Sequence, residues 1–116
     1  MPKDDLIRLR HMLDAARETI ALAQSQRRED LARDRKLALA LVKCIEIIGE
    51  AASKVTAATR SEHPSLPWAD IVGMRNRLIH AYFDIDLDRV WDTVVADLPP
   101  LVAELRNILP PELRGL

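Results

Sequence analysis

Apolar residues recur along most of the chain at spacings of three and four, the period of helices that bury one face. Leu6, Leu9, Leu13, Ala16, Ile20 and Ala23 form a first stripe, predicting a helix from about Asp4 to Gln26 with Asp4 or Asp5 as its cap. Arg27-Arg28-Glu29-Asp30 reads as the connection that follows. A second stripe, Leu31, Ala38, Leu41, Ile45, Ile48, Ala52 and Val55, predicts one long helix ending near Thr59. Gly49 inside it costs about 1 kcal/mol relative to alanine, which a close helix approach at Gly49-Glu50-Ala51-Ala52 compensates. Pro64 and Pro67 place a loop over 61–67. Pro67 then opens a third helix, with Asp70 in its first turn and Trp68, Ile71, Arg75, Leu78 and Tyr82 at helical spacing. Asp84-Ile85-Asp86 ends that helix and caps a fourth, whose stripe runs from Leu87 through Val90, Val94, Val95, Leu98, Leu101 and Leu105 to Leu109. Pro99-Pro100 interrupts the fourth stripe without shifting its phase and predicts a kinked helix or two short collinear ones. No strand-like alternation appears. The expectation is a single domain over 1–116, all-α, an up-and-down four-helix bundle with its fourth helix kinked at Pro99-Pro100.

At 116 residues the chain can bury about two thirds of its unfolded surface, enough for a core without staples. Cys44 is the only cysteine and lies in an apolar stripe, so it reads as a reduced, packed thiol in a cytoplasmic protein. The polar start Met1-Pro2-Lys3-Asp4-Asp5 is unlike a secretory signal, and no apolar run is long enough to span a membrane. The net charge of -1 divides unevenly, +3 over residues 1–60 and -4 over 61–116. Neither half has the dense basic patch of a protein that grips long nucleic acid by phosphate neutralisation alone, so any contact with RNA must rest on a local site.

One segment departs from what a bundle helix needs. Arg75, Asn76, Arg77, His80 and Tyr82 fall within eight residues. On a continuous helix Asn76 and His80 share a face, whereas Arg75 and His80 lie about 140° apart and do not converge on one atom unless long side chains wrap around it, the helix distorts or a second copy contributes. These residue types suit RNA phosphodiester cleavage, in which the ribose 2′-hydroxyl attacks its own phosphorus. Histidine moves the proton and arginine neutralises charge on the phosphoryl oxygens. Asn76 would orient the imidazole or the phosphate, and Arg77 is a second phosphate candidate that otherwise reads as a solvated residue.

The stretch Trp68-Ala69-Asp70-Ile71-Val72-Gly73-Met74-Arg75-Asn76-Arg77-Leu78-Ile79-His80-Ala81-Tyr82 resembles the signature of HepT-like proteins of the HEPN superfamily: arginine and histidine separated by four to six residues, one further residue, then tyrosine. The runs Ile47 to Ala52 and Val90 to Pro99 are similar to that family too. The resemblance implies a homodimeric bundle with Arg75 and His80 as the catalytic pair in a cleft between subunits, acting on RNA without a metal or cofactor. It also implies an antitoxin partner, a minimal nucleotidyltransferase of the MntA kind, which uses ATP to transfer AMP to the motif tyrosine, here Tyr82. Modification there would place phosphate charge and an adenosine beside Arg75 and block the cleft.

Other candidates have simpler readings. His11 and His63 lack partners at metal-ligand spacing. Glu46 and Glu50 are expected to pair with Lys43 and Lys54, with Glu50 a candidate supporting residue if its helix lines the cleft. Asp84, Asp86 and Asp88 lack the glycine and distal glutamate of a calcium loop, and helix capping accounts for them. Arg27, Arg28, Arg33, Arg35 and Lys36 are interleaved with Glu29, Asp30 and Asp34 and read as a solvated face. The competing reading is a non-catalytic dimeric module that binds a nucleotide or a nucleotidyltransferase partner, with the motif as its interaction surface.

Overall fold

The computed structural model describes residues 1–80 and 84–115. Helix α1, Lys3–Ala23, buries Leu9, Met12, Leu13 and Ala16 on one face. It packs against α3, Arg35–Ser53, which buries Leu41, Ile45, Ile48 and Ala52. The two run antiparallel, since Asp5 in the first turn of α1 meets Thr56 just beyond the end of α3. Asp5 is therefore no cap. It is buried, and its carboxylate accepts from the backbone N–H of Thr56 and from the hydroxyls of Thr56 and Thr59.

The expected long second helix is in fact three. The short α2, Arg28–Arg33, starts where Asp30 accepts from the backbone N–H of Arg27, so the connection falls before Arg28 and not over 27–30. Asp34 then leaves helical geometry and caps α3 by accepting from the Leu37 N–H at 3.1 Å. Short polar side chains that satisfy free N–H groups start helices, and the apolar stripe alone does not register them. Thr56 repeats the device at the start of α4, Ala57–Glu62. Gly49 does mark a close approach: an added Cβ would lie 3.1 Å from the Ile71 carbonyl oxygen and 3.3 Å from that of Val72. Both carbonyls end α5, Trp68–Val72, which α3 thereby seats.

The third helix also breaks. Gly73 separates α5 from α6, Met74–Leu78, and Ile79 is extended at φ -124°, ψ 123°. Ile79 pairs with Ile85 in an antiparallel bridge, so the expected helix through Tyr82 stops at Leu78. Tyr82 lies outside the described residues, as do Ala81 and Phe83.

Helix α7, Leu87–Asp92, passes through a π-helical turn, Thr93–Asp97, into α8, Leu98–Ile108. The Pro99-Pro100 pair sits in the first turn of α8, where missing N–H groups cost little. The ladder adjusts one turn earlier, where the Leu98 N–H reaches back five residues to the Thr93 carbonyl. That widening turns Val95, expected in the core, out to 50% exposure, while Val94, Leu98, Leu101 and Leu105 stay buried. A 3₁₀ turn, Pro111–Leu113, folds the tail back onto α1, where Arg10 and Arg17 donate to the carbonyls of Leu113 and Arg114.

The protein is thus all-α, with no strand-type pairing among the described residues beyond the one bridge. Long rods α1, α3 and α7–α8 form three sides, and the short α5 and α6 with the bridge form the fourth. Among the described residues no helix is long and apolar enough to cross a membrane.

Candidate active site

The motif straddles the end of α6. Residues three to five positions apart would share helical neighbours only if the helix continued, and it does not. Arg75 projects from α6 toward α3, where its Nε lies 3.5 Å from a Glu46 carboxylate oxygen. Glu46 also pairs with Lys43 at 3.4 Å, and Glu50 with Lys54 at 3.5 Å, the two pairings expected from spacing. The contact of Glu46 with Arg75 is a tertiary one that no spacing rule contains. Arg75, Lys43 and Glu46 stand beside Leu39, Val42, Ile79 and Ile85 around a shallow groove of about 180 Å³. Exposed Leu39 and Ile47 of α3 continue the apolar surface of this face.

Two successive residues in extended backbone point to opposite sides. Ile79 lines the groove, so His80 turns away from it. The Ile79–Ile85 pair is closed by two backbone bonds of 2.7 Å, His80 N–H to the Asp84 carbonyl and Asp86 N–H to the Leu78 carbonyl. This is the pattern of a non-hydrogen-bonded antiparallel pair, with side chains of opposing residues in close contact. His80 and Asp86 fall on one face of it, diagonally placed, and His80 Nε2 lies 3.3 Å from Asp86 Oδ2. The other Asp86 oxygen caps α7 by accepting the Arg89 backbone N–H at 3.1 Å. That backbone bond, helped by the imidazole and by the charge of Arg89 and opposed by desolvation, holds the Asp86 carboxyl below its ordinary range. His80 remains largely open to solvent, its side chain 61% exposed.

Several sequence expectations change as a result. Asn76 and His80 do not share a helical face, because His80 is off the helix; among the described residues the imidazole's partner is Asp86. The 140° separation of Arg75 and His80 lapses for the same reason. Asp86 was read as a cap and is one, but it also holds the motif histidine. Asp88, grouped with it, pairs instead with Arg28 of α2 at 2.5 Å. Glu50 is paired with Lys54, and Glu46 is the glutamate beside Arg75. Arg77 leaves α6 on another side, where it donates to the Asp70 carbonyl at 2.9 Å and helps line a cleft of about 470 Å³ with Arg89, Asp92 and Asp97. The signal that could have located the bridge is the alternation Asp84-Ile85-Asp86 opposite the β-branched Ile79, a two-residue period too short to stand out beside helical stripes. No group of three or more His, Cys, Asp or Glu side chains suited to a metal ion occurs among the described residues. Cys44 is buried, and burial pushes its thiol above the usual range.

Comparison with known proteins agrees with the motif. The family model described as "Ribonuclease HepT-like" matches residues 12–108. A protein of Caldanaerobacter subterraneus subsp. tengcongensis described as "Putative RNase" is 35% identical over 104 residues, covering 90% of this chain and 93% of its own. A protein of Methanocaldococcus jannaschii with the same description is 32% identical over 110 residues, covering 94% of this chain and 91% of its own. The "Probable ribonuclease HepT" of Thermococcus cleftensis is 38% identical over 80 residues, covering 69% of this chain and 73% of its own. No solved structure gives a significant match. With a family model spanning most of its length and relatives of this similarity, the chain belongs to the HepT-like ribonuclease family.

Proposed function

We propose that this protein is a metal-independent endoribonuclease, the toxin of a HepT/MntA-type toxin–antitoxin pair. What supports this reading is the exposure and carboxylate support of the two motif residues: Arg75 is held by Glu46 at the apolar groove, and His80 is held by Asp86 beyond the end of the same short helix. In the reaction the 2′-oxygen of a ribose attacks the adjacent phosphorus, the P–O5′ bond breaks, and a 2′,3′-cyclic phosphate and a 5′-hydroxyl result. His80 acts as general acid/base, and Arg75 stabilises charge that develops on the phosphoryl oxygens. Asn76, exposed on α6, is available to a phosphate of the RNA.

The site is proposed to be composite, formed by two copies of the chain. Helix geometry no longer argues for that. The support is the exposed apolar surface around Arg75, with Leu39 at 47% and Ile47 at 41% exposure, which a second copy would cover. Regulation is proposed through transfer of AMP from ATP to Tyr82 by a minimal nucleotidyltransferase partner; Tyr82 is the only tyrosine in the chain.

Cleavage of RNA by purified protein in EDTA tests the chemistry. His80→Ala and Arg75→Ala are expected to keep the helical circular dichroism of the parent and to lose about 100-fold or more in rate. Cleavage persisting in both variants overturns the assignment. Intact mass after co-expression with the nucleotidyltransferase is expected to rise by whole AMP units, and a rise that survives Tyr82→Phe refutes the modification site.

A further inference from the structure

We infer that Asp86 is the positioning residue of the site: it holds His80 through Nε2, leaving Nδ1 as the nitrogen that exchanges a proton with RNA. The inference rests on the ribonuclease reading for its chemistry and on the bridge for its geometry. An imidazole on an exposed segment would normally sample several rotamers and both neutral tautomers. Here three constraints act together. The backbone of His80 is fixed by its 2.7 Å bond to the Asp84 carbonyl, and that of Asp86 by its 2.7 Å bond to the Leu78 carbonyl. The Asp86 side chain is fixed by its second oxygen, bound to the Arg89 N–H in the first turn of α7. The remaining oxygen then faces Nε2 at 3.3 Å.

An ionised carboxylate only accepts hydrogen bonds, so the ring nitrogen facing it carries the proton. The charged groups around the pair come from the bridge, with Asp84 opposite His80, and from α7, with Arg89 one turn in. Nδ1 is then the lone-pair nitrogen of the neutral ring. It accepts the proton of the attacking 2′-hydroxyl as the O2′–P bond forms, and the imidazolium, paired with Asp86, gives a proton to O5′ as the P–O5′ bond breaks. An orienting carboxylate of this kind selects the tautomer and stabilises the cation without itself taking the proton.

The test uses full-length protein carrying Asp86→Asn, with Asp88→Asn as the comparison. Asparagine caps helices about as well as aspartate, so α7 is expected to persist, which circular dichroism and thermal melting check. Asparagine can present its amide oxygen or its NH₂ to the ring and so no longer selects one tautomer. Imidazole ¹⁵N shifts are expected to report the Nε2-protonated form of His80 in the parent and in Asp88→Asn, and a mixture in Asp86→Asn. With RNA as substrate, kcat is expected to fall about 10- to 100-fold in Asp86→Asn, while KM stays within about twofold. Unchanged ring shifts in Asp86→Asn overturn the inference, as does a changed tautomer with unchanged kcat. If the parent cleaves no RNA the proposed function fails, yet the ring shifts still decide whether Asp86 holds His80.

Discussion

Replacing Asp5 tests how the bundle is locked at the end where α1 meets α4. The side chain is 1% exposed and accepts three hydrogen bonds: from the Thr56 N–H at 3.1 Å, the Thr56 hydroxyl at 2.6 Å and the Thr59 hydroxyl at 2.5 Å. Asp5→Ala removes every acceptor at once. The two hydroxyls, already 3.3 Å apart, can bond each other, which strands the Thr56 N–H and one hydroxyl proton. Each buried donor left without a partner costs about 1–3 kcal/mol, and Thr56 can recover part of its share from water, so the expected loss is about 3 kcal/mol. At about 2.1 cal/mol/K per residue, that lowers the melting temperature by roughly 12 °C. Asp5→Asn keeps one acceptor and is expected to lose about half as much. The effect also has a pH sign. Burial pushes the Asp5 carboxyl up, but the Thr56 and Thr59 bonds outweigh it and hold the group below its ordinary value of 3.8. A depressed carboxyl contributes stability that is fully present above that ordinary value and is lost as pH falls through the lower folded value. Urea unfolding of parent and Asp5→Ala, followed by circular dichroism from pH 7 down to pH 3, is expected to show a gap that narrows below about pH 4. A neutral-pH difference under about 0.5 kcal/mol, or a gap that stays constant with acid, would mean that Asp5 does not lock this end of the bundle.

Two other perturbations probe the elements that carry the motif. Gly49→Ala gains about 1 kcal/mol of helix propensity but pushes a methyl group to 3.1 Å and 3.3 Å from the Ile71 and Val72 carbonyl oxygens, backbone atoms that yield only if α5 moves. Overpacking of this kind costs about 1–3 kcal/mol, so a net loss of about 1 kcal/mol in urea is expected, and a stabilised variant would show that α5 gives way freely. Leu39→Arg with Ile47→Arg places charge on the exposed α3 face and is expected to give monomers by light scattering with unchanged circular dichroism; dimers that persist would move the proposed subunit contact elsewhere on the surface.

Much of the helical content is legible in the order of apolar residues. The faces of α1 and α3, and of α8 beyond Pro99-Pro100, bury the residues that their spacing selects, because a packed helix buries one stripe whatever its neighbours are. Breaks between helices are far less visible. Asp34 and Thr56 each begin a helix through a side-chain bond to a backbone N–H, a contribution of about 1 kcal/mol that leaves the apolar period intact. The π turn shows the reverse. Pro99-Pro100 announces a disturbance in the sequence, yet the tertiary fold decides that it is absorbed a turn earlier and that Val95 turns outward.

The motif was legible in the sequence as reactive residue types in one short run, Arg75, Asn76, His80 and Tyr82, and the family came from the resemblance of that run to HepT-like proteins. How the motif residues are held was not legible there. Along a helix His80 would have stood over Asn76. In the fold the Ile79–Ile85 bridge takes the chain out of the helix, spends the His80 N–H on Asp84, and swings the imidazole onto Asp86, while α3 brings Glu46 to Arg75. These contacts depend on backbone bonds between segments whose register becomes definite only once α5, α6 and α7 have packed against α3. Local order in the chain places the motif residues together, and long-range packing chooses the carboxylates that stand beside them.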